Sequence, residues 1–172
     1  MKKNIVLVGF MASGKTTAGR KISELSGMKF IDIDELFEGR FNMTISSYFK
    51  EFGETSFREE EKKLIFQVAS EENLVISTGG GAMVYLENRK ALKKNGIIFY
   101  LEILPETVYE RVKGDISRPM LNSPNPKEKI YELFKKRVKF YKMADYTVLS
   151  ESKTPEVIAK EILTFFQRRG LQ

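Results

Sequence analysis

The feature that most constrains this chain is Gly9-Phe-Met-Ala-Ser-Gly14-Lys15-Thr16, which fits G-x-x-x-x-G-K-[ST] without a mismatch and directly follows the apolar run Ile5-Val6-Leu7-Val8. Four fixed positions would coincide by chance in roughly one of a few hundred chains of this length. The flanks narrow the reading further. A β-branched run precedes the stretch, and Ile22 and Leu25 follow at helical spacing before a Gly27 stop. Strand, loop, helix is the order that makes a phosphate cradle. Backbone N–H groups of Ala12, Ser13, Gly14 and the first helical turn through Thr17 point at phosphate oxygens, Lys15 reaches the outer phosphates, and the Thr16 hydroxyl can join a Mg²⁺ shell. An ordinary glycine-rich turn would leave those flanks unexplained.

With 172 residues, 42% apolar and 30% charged, the chain reads as a single domain, 1–172, with no repeats. It contains neither Cys nor His. Disulfides, thiolate metal sites and thiol nucleophiles are therefore excluded, general base chemistry falls to Asp, Glu, Lys or Tyr, and any metal would be a hard cation held by oxygen. Met1-Lys-Lys followed by Ile5 to Ala12 imitates a secretory signal, but its cleavage region would be the phosphate loop itself. No apolar run approaches the ~18 residues of a membrane span. A cytoplasmic protein with no membrane partner is expected. The net charge of +6 suits nucleic acid or small anionic substrates equally. Lys129, Lys135, Lys136, Lys139 and Lys142 spread around the outer face of one helix instead of interleaving with aromatics. That distribution favours a solvated face, and no nucleic-acid partner is expected.

Five runs rich in β-branched or aromatic residues read as strands: Asn4 to Val8, Lys29 to Asp32, Leu74 to Ser77, Ile97 to Leu101 and Tyr146 to Leu149. Helical patterns separate them, so the class is α/β, with right-handed crossovers, a parallel sheet and helices on both faces. Ligands then belong at the carboxyl ends of the strands. Residues at those ends are chemically distinctive: the phosphate loop after the first strand, Asp32 and Asp34 at the second, Gly79-Gly80-Gly81 after the third. Gly53 punctuates a helical run beginning near Thr44, which predicts a helical insertion over residues 34–60. Residues 113–126 carry Gly114, Pro119, Pro124 and Pro126 without periodicity, which predicts a lid.

Asp32-Ile33-Asp34 would place two carboxylates on one side of a strand end, by the period of two. One carboxylate with Thr16 would complete a Mg²⁺ site, and the other could face an acceptor hydroxyl. Capping of the following helix by Asp34 is the alternative. On the helix near Lys127 to Met143, Arg137 falls inside the apolar stripe of Ile130, Leu133, Phe134, Val138 and Tyr141. On the helix near Glu54 to Ser70, Glu61 falls inside the stripe and Arg58 on its border. A charge on an inward face needs a partner. Arg58 with Glu61 can be a structural ion pair, which leaves one positive charge that a carboxylic acid could neutralise. Arg118, in the lid, could stabilise a transferring phosphoryl group.

Taken together these stretches resemble the shikimate kinase family. The resemblance is carried, in order, by Gly9 to Thr17, Phe30-Ile-Asp-Ile-Asp34, Phe57-Arg58 with Glu61, Ser77-Thr-Gly-Gly-Gly81, Arg118-Pro-Met-Leu121, and Arg137 with Tyr141. It implies a three-layer αβα P-loop kinase fold with a five-stranded parallel sheet of the nucleoside monophosphate kinase type and a lid. It also implies ATP and Mg²⁺ as cofactors, shikimate as acceptor, and a monomer. The implied roles are Asp34 as base or hydroxyl positioner, Arg58 and Arg137 on the shikimate carboxylate, and the Gly79 to Gly81 backbone beside it. Phe49, Phe57 and Leu121 would wall the pocket, Lys15 and Arg118 would stabilise phosphates, and Thr16 with Asp32 would hold Mg²⁺. Arg111, Lys153 and Pro155 would border adenine. Ala12 stands where the family's loop commonly has Gly, and Lys153 where Arg is frequent. Another metabolite kinase of this fold, acting on gluconate or a nucleoside monophosphate, and a nucleotide-dependent switch are the competing readings.

Overall fold

The computed structural model describes residues 3–113 and 124–170. Its elements run β1 (Asn4–Val8), α1 (Lys15–Ser26), β2 (Lys29–Asp32), α2 (Ile33–Phe41), α3 (Ile45–Ala69), β3 (Leu74–Ser77), a 3-10 turn (Ala82–Val84), α4 (Leu86–Asn95), β4 (Gly96–Glu102), α5 (Pro105–Val112), α6 (Pro126–Tyr141), β5 (Tyr146–Leu149) and α7 (Pro155–Gly170). All five predicted strands are present, β4 running one residue further at each end. They form one parallel sheet in the order β2-β3-β1-β4-β5.

All five residues of β1 are buried, because β3 and β4 cover both of its edges and helices cover both faces. A strand in that position reads as an unbroken apolar run. Its side chains still alternate. Ile5 and Leu7 join Ala18 and Ile22 of α1 and Ile158 and Ile162 of α7, while Val6 and Val8 join Ile65, Leu92, Val108 and Ile130 from α3 to α6 on the opposite face. The result is the expected three-layer αβα arrangement. A smaller third cluster, Phe37 of α2 with Tyr48, Phe57 and Leu64 of α3, gives the segment between β2 and β3 its own apolar centre, with ring centroids 4.9 and 4.8 Å from Phe37 to Tyr48 and Phe57.

β3 and β4 lie on opposite sides of β1, so the strand order reverses there, and the crevice outside the carboxyl end of β1 is where open α/β sheets bind ligands. Gly53 breaks α3 with φ 80° and ψ 170°, a backbone region essentially reserved for glycine, as its sequence position anticipated. The two halves of α3 can thereby lean over the crevice in different directions.

Tight packing at the start of β4 generates a stability prediction. A Cβ on Gly96 would lie 2.6 Å from Val6 Cγ2 and 2.7 Å from the Leu92 carbonyl oxygen, whereas one on Gly39 in α2 meets nothing within 4 Å. Gly96→Ala should destabilise the protein by about 1–3 kcal/mol. Gly39→Ala should leave it unchanged or stabilise it by up to about 1 kcal/mol. Equilibrium denaturant unfolding checks both, and equal effects of the two substitutions would contradict the packing described.

Candidate active site

The donor half of the site is built by the turn from β1 into α1. Gly14 caps α1 in the left-handed region (φ 85°), and no side chain caps the helix nor does an acid occupy its first turn. The N–H groups and positive end of the dipole are thus left to an anion. Lys15 is buried and folds back along the loop, its Nζ donating to the carbonyls of Gly9 (3.0 Å) and Phe10 (2.9 Å). Ser13 is buried beside it. Ala12 takes a left-handed φ of 56°, which explains how the chain dispenses with glycine there, and its carbonyl accepts from Arg111 Nη1 of α5 at 2.9 Å. Arg111 thus braces the phosphate loop. Glu151, after β5, accepts from the Leu104 N–H and the Thr107 hydroxyl, tying the approach to Lys153 and Pro155 to the start of α5. Lys153 pairs with Glu161, and Pro155 opens α7.

Asp32 and Asp34 do not share a strand face. β2 ends at Asp32 and the chain turns into α2 at once, so the period of two no longer applies. Asp32, not Asp34, is the cap: its Oδ1 accepts from the Asp34 N–H (3.0 Å) and the Glu35 N–H (3.5 Å). Its Oδ2 accepts from the Thr16 hydroxyl at 2.7 Å. Thr16 and Asp32 therefore meet at the end of the phosphate loop, as predicted, and Asp34 is delivered by the first turn of α2 to a different cavity.

That cavity, about 600 Å³, is lined by Asp34, Phe49, Phe57, Arg58, Glu61, Gly79 to Gly81 and Arg137, with Met11 of the phosphate loop on its border. Gly79 and Gly81 are crowded by charged side chains, whereas Gly80 has room for a Cβ. A Cβ on Gly79 would sit 2.9 Å from both Asp34 Oδ1 and Glu61 Oε1, and one on Gly81 would sit 2.6 Å from Arg58 Nη2. A Cβ on Gly80 would lie 3.6 Å from Arg137 Nη1 and 3.7 Å from the Met11 nitrogen. The backbone after β3 is thus the floor on which acid, arginines and phosphate loop converge.

The two arginines differ. Arg58 Nη1 donates to Glu61 at 2.8 Å and Nη2 reaches Glu54 at 3.4 Å, so the pairing expected with Glu61 is present and a second carboxylate adds to it. Burial pushes the Glu61 carboxyl above its usual range, against the opposing pull of Arg58 and Arg137. Arg137 forms no ion pair among the described residues. The surplus positive charge therefore resides on Arg137 rather than on both arginines together. Arg58 Nε and Glu61 Oε1 are buried without hydrogen-bond partners among the described residues.

Tyr141 stood out in the sequence as a member of the apolar stripe and, with Arg137, of the family resemblance; its hydroxyl donates to the Gly80 carbonyl, a contact the sequence did not show, and its ring stacks on Tyr100 at 5.3 Å. Burial, opposed by Arg137, pushes its phenol up to about 12, so it remains a donor at neutral pH. It fixes the glycine floor from α6. Arg118 and Leu121 lie outside the described residues.

Comparison with known proteins agrees with this geometry. The shikimate kinase family profile matches residues 11–167. A shikimate kinase of Persephonella marina is 46% identical over 161 residues, 94% of this chain and 97% of its own, and one of a Sulfurihydrogenibium species is 45% identical over 167 residues, 97% and 99% of the two chains. The structure of shikimate kinase from Acinetobacter baumannii in complex with shikimate superposes with a TM-score of 0.94 at 36% identity, covering 100% of this chain and 97% of that one. With the phosphate loop, the glycine floor and the arginine-lined cavity in one crevice, the chain belongs to the shikimate kinase family.

Proposed function

We propose that the protein transfers the γ-phosphoryl group of ATP to the 3-hydroxyl of shikimate, giving shikimate 3-phosphate and ADP on the route to chorismate. The observation that carries this reading is that Gly80, Arg137 and Met11 of the phosphate loop line one cavity, a Cβ at Gly80 being 3.6 Å from Arg137 Nη1 and 3.7 Å from the Met11 nitrogen. An acceptor on the glycine floor is then adjacent to the outer phosphates. Adjacency of this kind supplies positioning, which together with electrostatic stabilisation makes up nearly all of catalysis in phosphoryl transfer.

The roles of the side chains follow from their placement. Arg137, which forms no ion pair among the described residues, and Arg58, aimed by Glu61, hold the shikimate carboxylate, and guanidinium forks match its two oxygens. Phe49 and Phe57 cover the apolar face of the ring. Asp34 orients the 3-hydroxyl and accepts its proton as the new O–P bond forms and the bond to ADP breaks. Lys15 stands over the loop carbonyls, a short reorientation from the outer phosphates, whose charge it stabilises together with Arg118. Residues 34–60 act as the acceptor-binding insertion, residues 113–126 as a lid, and Arg111, Lys153 and Pro155 border adenine. Thr16 and Asp32 offer hard oxygen donors 2.7 Å apart, a set that fits Mg²⁺, which usually takes one or two protein oxygens beside water and phosphate. When bound, Mg²⁺ neutralises charge on the phosphates.

Acceptor-dependent ADP release tests the reaction: turnover is expected with shikimate and should be negligible with gluconate or AMP, and phosphorylation of AMP instead would overturn the reading. Arg137→Ala should raise the KM for shikimate by about a hundredfold with a smaller loss in kcat, the cost of one charge-assisted contact. An unchanged KM would remove Arg137 from the carboxylate clamp. Asp34→Asn should lower kcat by about 10²–10⁴ while shikimate affinity changes far less. Steady-state kinetics and direct binding separate the two effects, and an intact kcat would exclude Asp34 as base or positioner. Lys15→Ala should abolish turnover yet leave shikimate binding measurable by calorimetry; loss of shikimate binding would contradict the division into donor and acceptor halves.

A further inference from the structure

A second cavity, of about 350 Å³, opens beside α4, with a floor of Met83, Leu86 and Met143 and a rim of Arg89, Lys90 and Lys94. We propose that it binds a small amphipathic anion, an aryl or short alkyl carboxylate, at a site separate from the acceptor cavity. Leu86 and Met143 are 53% and 50% exposed and both line this cavity, so their apolar surface is open to a ligand there. On α4, positions 86, 89, 90 and 94 fall on one face by helical spacing. That face is neither a core stripe nor a balanced surface, since it carries a leucine among cations. The nearby acids are already engaged, Glu87 by Lys62 and Asp145 by Lys93, and neither Lys90 nor Lys94 forms an ion pair among the described residues.

Lysine in the last turn complements a helix dipole, which accounts for Lys94 but not for Lys90 one turn earlier, nor for the apolar floor between them. Arg89 gives the wall rigidity. Its Nη1 donates to the carbonyls of Met83 (2.6 Å) and Val84 (2.9 Å), its guanidinium lies 5.1 Å over the Phe140 ring, and its Nε is buried without a hydrogen-bond partner among the described residues. A fixed guanidinium, two lysines and an apolar floor select for a negative head on an apolar body. The volume is at the low end of ligand pockets and suits a single ring rather than a nucleotide.

The test is a titration of the full chain with phenylacetate in the presence of saturating shikimate, followed through the methyl NMR signals of Met83 and Met143. Saturable shifts at both methyls are expected, with phenylacetamide binding at least about tenfold more weakly because the charge is gone, and acetate likewise because the body is gone. Lys90→Gln with Lys94→Gln should weaken phenylacetate by about tenfold. Leu86→Gln should weaken it comparably through the floor, and all three positions are exposed enough for these variants to fold. No shift at millimolar phenylacetate, shifts that appear only when shikimate is left out, equal binding of the amide, or indifference to these substitutions would each overturn the proposal. Failure of shikimate itself to bind would show in its own signals and bears on the acceptor reading alone.

Discussion

The functional end of this molecule depends on how closely the backbone after β3 can be approached. Gly79 and Gly81 touch charged side chains where a methyl group would already collide, at 2.9 and 2.6 Å. Because nothing projects from that floor, Asp34 from α2, Arg58 and Glu61 from α3, and Arg137 from α6 can converge on one cavity. The Tyr141 hydroxyl holds the floor in place through the Gly80 carbonyl. The sheet supplies the rest of the constraint, since pairing β1 between β3 and β4 sets the phosphate loop and the glycine run side by side.

The Arg58 and Glu61 pair is better understood as an orienting device than as a source of stability. Glu61 is 1% exposed, and burying a carboxylate costs free energy that a single ion pair recovers only in part. The aromatic cluster of Phe37, Tyr48 and Phe57 provides the apolar burial that lets the α2 and α3 segment carry this load. Glu61 presets Arg58, whereas Arg137 forms no ion pair among the described residues, so the two arginines start from different states.

The parts of this structure written in local pattern were readable from sequence. The phosphate loop is one continuous motif, β1 is an unbroken apolar run because both its faces are buried, and Gly53 marks its own kink. The inward charges at Arg58, Glu61 and Arg137 were visible from helical spacing alone. Failures arose where one local rule gave way to another within a residue. Asp32 ends a strand and caps a helix simultaneously, so strand alternation misplaced Asp34. Contacts that join distant segments left no signal: Tyr141 meets Gly80 across 61 residues, and Arg111 meets Ala12 across 99.

A structure of the protein with shikimate and ADP bound tests the central claim most directly, that one glycine floor serves adjoining donor and acceptor sites. The account predicts the shikimate carboxylate between Arg58 and Arg137, and the 3-hydroxyl about 3 Å from an Asp34 carboxylate oxygen and facing the β-phosphate end of the loop. A shikimate carboxylate seated away from Arg137, or a 3-hydroxyl turned from Asp34 and the loop, would contradict it.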